Sequence, residues 1–165
     1  MRHLKRMKVV DLLRHAQTNF NIKKDVISKN IPINSTGLKQ CQESEISKHY
    51  EMVVCSPMRR CKETLANIQG ITYNQIVHSD LCREHQIANC DFLEHEDENI
   101  LESEEELLNR VEKFRQFLLT LKEDKILVVS HGDFLWNLTA KKVDDERFGQ
   151  WLDNCQLYEF ELDLD

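Results

Sequence analysis

Val9 to Asn21 reads V-V-D-L-L-R-H-A-Q-T-N-F-N. Valines and leucines suited to a buried strand stop at Arg14-His15, and small or polar residues follow. The stretch therefore predicts a strand over Met7–Leu13 that delivers a guanidinium and an imidazole to its carboxyl end. Open α/β sheets place their ligands at that edge. Alone, the pattern also fits a strand that simply ends in polar residues. The rest of the chain decides between the two.

Two later segments repeat the arrangement. Met52-Val53-Val54-Cys55 is a short apolar strand ended by Ser56-Pro57, with Arg59-Arg60 just beyond. Proline suits the first turn of a helix, and Met58, Cys61, Leu65 and Ile68 continue at helical spacing. Lys125 to Val129 is a third buried strand, ending in Ser130-His131-Gly132-Asp133, with a short helix through Phe134, Leu135 and Leu138. Between them, Ser103-x-x-Glu106 is a capping box. The helix it opens carries Leu107, Val111, Phe114, Leu118 and Leu121 on one stripe.

Elsewhere the signals are shorter. Phe20 to Ser35 reads as a polar loop, and Thr36-Gly37 opens a helix expected to reach His49 with Leu38, Cys41 and Ile46 inward. Ile76 to His78 is a short strand. His85 to Glu102 is acidic and irregular, and its Glu94-His95-Glu96-Asp97-Glu98 tract reads as a solvated loop rather than a metal site. Tyr158, Phe160 and Leu162 alternate with acids as a half-buried strand. Strands alternating with helices predict a three-layer α/β/α sandwich on a mostly parallel central sheet. With 165 residues and no linker or repeat, one domain over 1–165 is expected.

Composition narrows the function. A formal charge of −7 argues against nucleic-acid binding, and it requires any anion site to be a local cationic pocket. Six cysteines show neither C-x-x-C nor zinc spacing, which predicts reduced thiols in a cytoplasmic setting, with no metal and no cofactor. The basic N-terminus lacks the apolar run of a signal peptide, no stretch suggests a membrane span, and Asn34-Ser35-Thr36 and Asn137-Leu138-Thr139 read as chance glycosylation matches. No cysteine has an arginine six positions on, so the C-x5-R of cysteine-dependent phosphatases is missing, as is a P-loop. Trp136 and Trp151 read as packing residues. No exposed interface stripe stands out.

In a parallel sheet, Arg14-His15, Arg59-Arg60 and His131 lie along one carboxyl edge. Guanidinium groups grip phosphoryl oxygens bidentately, so such a cluster suits a phosphoryl group. Here the residues reach a known family: the chain resembles the histidine phosphatase superfamily (phosphoglycerate mutase-like) along nearly its whole length. Arg14-His15-Ala16-Gln17-Thr18-Asn19-Phe20-Asn21 is similar to its R-H-G-[EQ]-T-x-x-N signature. Ser56-Pro57-Met58-Arg59-Arg60-Cys61-Lys62-Glu63-Thr64 is similar to S-P-L-x-R-A-x-x-T, Leu81-x-x-Glu84 to the segment with its acid, and Val128-Val129-Ser130-His131-Gly132 to V-S-H-G. Asn34-Ser35-Thr36-Gly37-x-x-Gln40 echoes its loop and helix start.

The resemblance implies His15 as a nucleophile forming a phosphohistidine, without metal. It implies Arg14, Arg60 and His131 as the phosphate pocket, Asn21 as a further contact, and Glu84 as general acid and then base. Glu94, Glu96 and the Glu104 cluster are alternative carboxylates. Ala16 stands where the family usually has Gly, and its methyl is expected to narrow the backbone's approach to phosphate. The activity implied is hydrolysis of phosphomonoesters, either phosphorylated small molecules or phosphopeptides. A mutase and a catalytically silent phosphate-binding domain are the alternatives. Phe20 to Ser35 and His85 to Glu102 are expected to rim the pocket and set the substrate.

Overall fold

The computed structural model describes residues 7–163. Five strands form its main sheet: β1 (Met7–Arg14), β2 (Lys48–Cys55), β3 (Ile71–His78), β4 (Ile126–Ser130) and β7 (Leu157–Asp163), in the order β3-β2-β4-β1-β7. All neighbours are parallel except β7, which runs antiparallel to β1 at the edge. Consecutive residues on the central strands go to opposite faces, as the two-residue strand period requires. Leu12, Val54 and Val128 join the core shared with α4 (Glu104–Thr120) and α5 (Gly132–Thr139), whose Phe114, Leu118, Phe134 and Leu135 belong to it. Leu13, Val53, Leu127 and Val129 join the opposite core, with Cys41 of α2 (Ser35–Gln42) and Cys61 and Leu65 of α3 (Arg59–Asn67). Every residue of β4 is buried. That explains why it reads as a continuous apolar run. The expected mostly parallel, helix-flanked sheet is what forms.

Four local readings need correction. The helix expected to reach His49 ends at Gln42, because the Ser44 hydroxyl accepts the Ile46 N–H and turns the chain. Residues from Lys48 then join β2, where Tyr50 is buried and its hydroxyl donates to Asp11 at 2.6 Å. The strand expected at Ile76 starts at Ile71, since Thr72, Tyr73, Asn74 and Gln75 form an exposed edge with no apolar alternation to betray it. The loop from Phe20 contains part of a one-turn helix, α1 (Asn19–Ile22). A hairpin of β5 (Lys141–Val143) and β6 (Glu146–Phe148) turns through Asp144 and Asp145 at φ of 51° and 67°. Primed hairpin turns need that left-handed pair, usually from Asn-Gly or Asp-Gly, so Asp-Asp carries little signal.

The capping box forms as read. Ser103 Oγ accepts the Glu106 N–H at 3.1 Å, and Leu107, Val111, Phe114 and Leu118 of α4 are buried. Among the described residues no helix is long and apolar enough to cross a membrane, and all six cysteines are free. Phe114 meets Phe134 edge to face, 5.5 Å between centroids, and so ties α4 to the helix that follows His131. Phe114→Ala should lower stability by about 3–5 kcal/mol, measured as a shift in the urea midpoint at unchanged slope.

Candidate active site

The β1–β4 register sets Arg14 opposite Ser130. The next residue on each strand is a histidine, and the His15 and His131 rings meet at 5.3 Å between centroids, tilted by 62°. The His15 backbone N–H donates to the Ser130 carbonyl at 3.1 Å, which carries the pairing one residue past the strand. From β2, the Ser56 hydroxyl reaches His131 Nε2 at 2.9 Å. Three strand ends thus converge at one edge. There a cavity of about 290 Å³ is walled by, among others, Arg14, His15, Asn21, Arg60, Glu84, Asp91 and Trp151.

His15 is almost fully buried, and its Nδ1 lies 2.7 Å from the Ala16 carbonyl oxygen. Only an N–H can make that contact, so Nδ1 carries the proton and Nε2 keeps its lone pair. Burial pushes this imidazole well below its ordinary range. The Arg60 guanidinium pushes the same way, the Ala16 carbonyl opposes it, and Arg14 adds to the lowering. His131 is lowered too, first by burial and then by Arg60 and His15. It is not a wall of the cavity but stands beside His15.

The two arginines are fixed differently. One guanidinium nitrogen of Arg14 donates to the Leu152 carbonyl at 2.9 Å, while its Nε is buried with no partner among the described residues. Arg60 donates to the Cys90 carbonyl at 2.8 Å and to Asp91 at 3.0 Å, a pair in which both side chains are buried. Of the tandem arginines only Arg60 lines the cavity. Arg59 is exposed and pairs along its own helix with Glu63. Asn21 accepts the Thr18 N–H at 2.8 Å through its oxygen, so its amide N–H groups remain to donate.

Glu84, from the segment that follows β3, places its carboxylate against the first N–H groups of α5. One carboxylate oxygen accepts from the backbone N–H groups of His85 and Phe134 at 2.9 and 2.8 Å, and the other accepts from Asp133 at 3.0 Å. The second oxygen keeps a lone pair for a proton. Burial raises this carboxyl to about 7, helped by Asp133 and Asp91 and opposed by the His85 and Asp133 N–H groups. The other carboxylates considered are elsewhere: Glu96 grips Arg83 at 2.6 Å, Glu94 accepts from Asn30, and Glu104 opens α4 in an exposed turn. The acidic tract is therefore more than a solvated loop, since Lys29, Asn30 and Arg83 tie it down. Among the described residues no three His, Cys, Asp or Glu side chains gather as a metal-ligand set.

Two expectations change here. Ala16 is not a wall of the cavity; it packs in the apolar core with Leu13 and Cys41, and its N–H donates to Thr64 Oγ1 at 2.8 Å. Its methyl therefore does not narrow the approach of a phosphoryl group. Trp151 is not ordinary packing either. Its ring lies over Arg14, 4.7 Å from the guanidinium carbon, and forms a cavity wall. A Cβ at Gly132 would come within 2.7 Å of that ring and 3.1 Å of Arg14 Nε, so only glycine lets α5 start so close. The two expected rim segments do contribute: Phe20, Asn21 and Lys24 from one, Ile87, Ala88, Cys90 and Asp91 from the other.

Sequence reasoning missed several positioning groups. Arg110 of α4 donates to the carbonyls of Leu81, Arg83 and Glu84, which clamps the segment that presents Glu84. Asn154 Nδ2 donates to the His15 carbonyl at 3.0 Å, and the Cys155 N–H reaches the Arg14 carbonyl at 3.0 Å. Each pair is distant along the chain, so no local pattern could mark it.

The architecture is phosphoglycerate mutase-like. A phosphoglycerate mutase from Thermus thermophilus matches at 17% identity, covering 95% of this chain and 99% of that one, with a TM-score of 0.62. A candidate alpha-ribazole-5'-P phosphatase from Escherichia coli K-12 matches at 20% identity over 95% and 91% of the chains, with a TM-score of 0.63. The family follows from the sequence itself: the model of the histidine phosphatase superfamily (branch 1) matches residues 10–100 and 83–165, and the chain belongs to that superfamily. A Bacillus subtilis protein named Uncharacterized phosphatase PhoE is 28% identical over 140 residues, 76% of this chain and 72% of its own length.

Because Asp91 is the buried counter-charge of Arg60, Asp91→Ala should cost about 3–5 kcal/mol in urea unfolding. Arg59→Ala, which breaks only an exposed helical pair, should cost at most about 0.5 kcal/mol by the same measurement.

Proposed function

We propose that the protein is a phosphatase that hydrolyses phosphomonoesters through a phosphohistidine on His15, without a metal. The observation that carries this reading is the 2.7 Å contact between His15 Nδ1 and the Ala16 carbonyl. It commits the proton to Nδ1 and turns the imidazole into a fixed nucleophile whose free nitrogen belongs to a cavity walled by Arg14 and Arg60.

In the first step, the Nε2 lone pair attacks phosphorus as the bond to the leaving oxygen breaks. The charge spread over the phosphoryl oxygens is met by Arg14, Arg60 and the Asn21 amide, while His131 packs against the His15 ring from behind the wall. A loose transition state asks mainly for such placement of charge, and donors held in position need no reorganisation. Protonated Glu84 gives its proton to the leaving oxygen. In the second step, the Glu84 carboxylate takes a proton from water, the oxygen of that water attacks phosphorus, and the P–N bond breaks. Inorganic phosphate leaves and Glu84 is again protonated.

Hydrolysis is favoured over mutase-type transfer by the openness of the rim, where Asp133 is exposed and Trp151 keeps 49% of its surface. Water reaches such a site, whereas transfer to a second hydroxyl needs water kept out. A silent phosphate-binding role would leave unused a carboxyl raised to about 7 in the wall of the same cavity as His15.

His15→Ala should abolish release of phosphate from a generic aryl phosphate, and Glu84→Gln should slow it by roughly 10²–10⁴-fold. An active His15→Ala variant would refute the assignment. The sign of the pH dependence follows from the two shifts. His15 is depressed, so it stays neutral across the assay range, while Glu84 must be protonated and titrates near 7. Activity measured as kcat/KM should hold below that pH and fall about tenfold per unit above it. Glu84→Gln should erase this alkaline limb.

A further inference from the structure

The steps just described use the floor of the cavity and leave part of its wall unexplained. Phe20, Ile87 and Trp151 line the mouth, with Ile87 50% and Trp151 49% exposed. Large apolar side chains held half in water above a polar site invite a ligand surface. Trp151 is also held in place. Arg14 lies against its ring, Gly132 abuts its edge, and the following residues are pinned by the Leu152 carbonyl to Arg14 and by Asn154 to the His15 carbonyl. The indole is thus fixed to the same arginine that would grip phosphate, with half its surface open.

Several polar groups of the wall are committed to partners, while the Asn21 amide N–H groups and the exposed Asp133 stay open. Asp91 holds Arg60, the Asn21 oxygen accepts from Thr18, and Glu84 accepts three backbone N–H groups. Lys24 lies over the Phe20 ring at 4.5 Å. Over the stretch formed by Phe20, Ile87 and Trp151, a sugar or polyol leaving group would set its hydroxyls against carbon, and buried unpaired hydroxyls are costly. A flat ring needs only a face to lie on.

We infer that the site selects phosphomonoesters of flat aromatic alcohols, with the leaving ring laid on Trp151 beside Ile87 while the phosphoryl group sits between Arg14, Arg60 and His15. This rests on the phosphatase reading above and adds the substrate class. Trp151 is the specificity-determining residue, through contact with the ring of the leaving group.

The test uses two stable phosphonates, so that binding is read apart from turnover. Phenylphosphonate and methylphosphonate are titrated calorimetrically into the full chain and into Trp151→Ala and Trp151→Phe. The phenyl compound should bind on the order of tenfold more tightly than the methyl compound. Trp151→Ala should bring that ratio close to one, and Trp151→Phe should restore most of it. Loss of the Arg14 contact weakens both ligands of a variant alike, so the ratio isolates the ring. Equal affinity of the two compounds for the unmodified protein, or a ratio that survives Trp151→Ala, overturns the inference and leaves the phosphatase reading standing. Binding of neither compound overturns both.

Discussion

One register holds the molecule and its site together. Parallel pairing of β1 with β4 sets Leu12 against Val128, Leu13 against Val129 and Arg14 against Ser130. A slip of one residue would turn every side chain of β1 to the other face. Leu12 and Leu13 would trade cores, and His15 would lose His131. The apolar burial that fixes the register is therefore the force that brings the two imidazoles together. β7 braces the other side of β1, pairing from Met7 with Asp163 to Leu13 with Leu157. Just before it, Cys155 hydrogen-bonds the Arg14 and His15 carbonyls.

Burial then shapes the chemistry in two opposite directions. Removing water disfavours charge, so it depresses the His15 imidazole and raises the Glu84 carboxyl. One environment thus yields a neutral nitrogen and a protonated acid near neutral pH, which is the pairing phosphoryl transfer to histidine requires. The chain's net charge of −7 does not prevent this. Arg60 is oriented by the buried Asp91 and Arg14 lies against Trp151, so both guanidinium groups are held at the cavity wall. The cost of holding Arg60 dry is offset by a buried partner rather than by solvent.

Much of this is legible in the sequence because it is written locally. β1, β2 and β4 are buried along their central residues and read as apolar runs, and each is followed by its polar group within a few residues. The motifs around His15, Arg60, Glu84 and His131 recur in the family's order, and all but His131 stand in the wall of one cavity, with His131 against His15. What escapes is written at long range or in polar residues. The first five residues of β3 are Ile-Thr-Tyr-Asn-Gln on an exposed edge, and the β5–β6 hairpin turns on Asp-Asp. Asp91 and Arg110 act on partners 26 to 31 residues away, in contacts that exist only once the sheet is built. Trp151 is readable as an apolar residue but not as the cover of Arg14, because that role depends on the missing side chain of Gly132.

At the centre of the proposed mechanism stands one atom: the His15 nitrogen left free by the Ala16 carbonyl, proposed as the acceptor of the phosphoryl group. The direct measurement is mass spectrometry of the peptides after brief mixing with an aryl phosphate and an alkaline quench, which preserves phosphohistidine. One phosphoryl group on His15 is the predicted result. A phosphoryl group on His131 or on a cysteine, or rapid turnover with no labelled peptide at any mixing time, would contradict it.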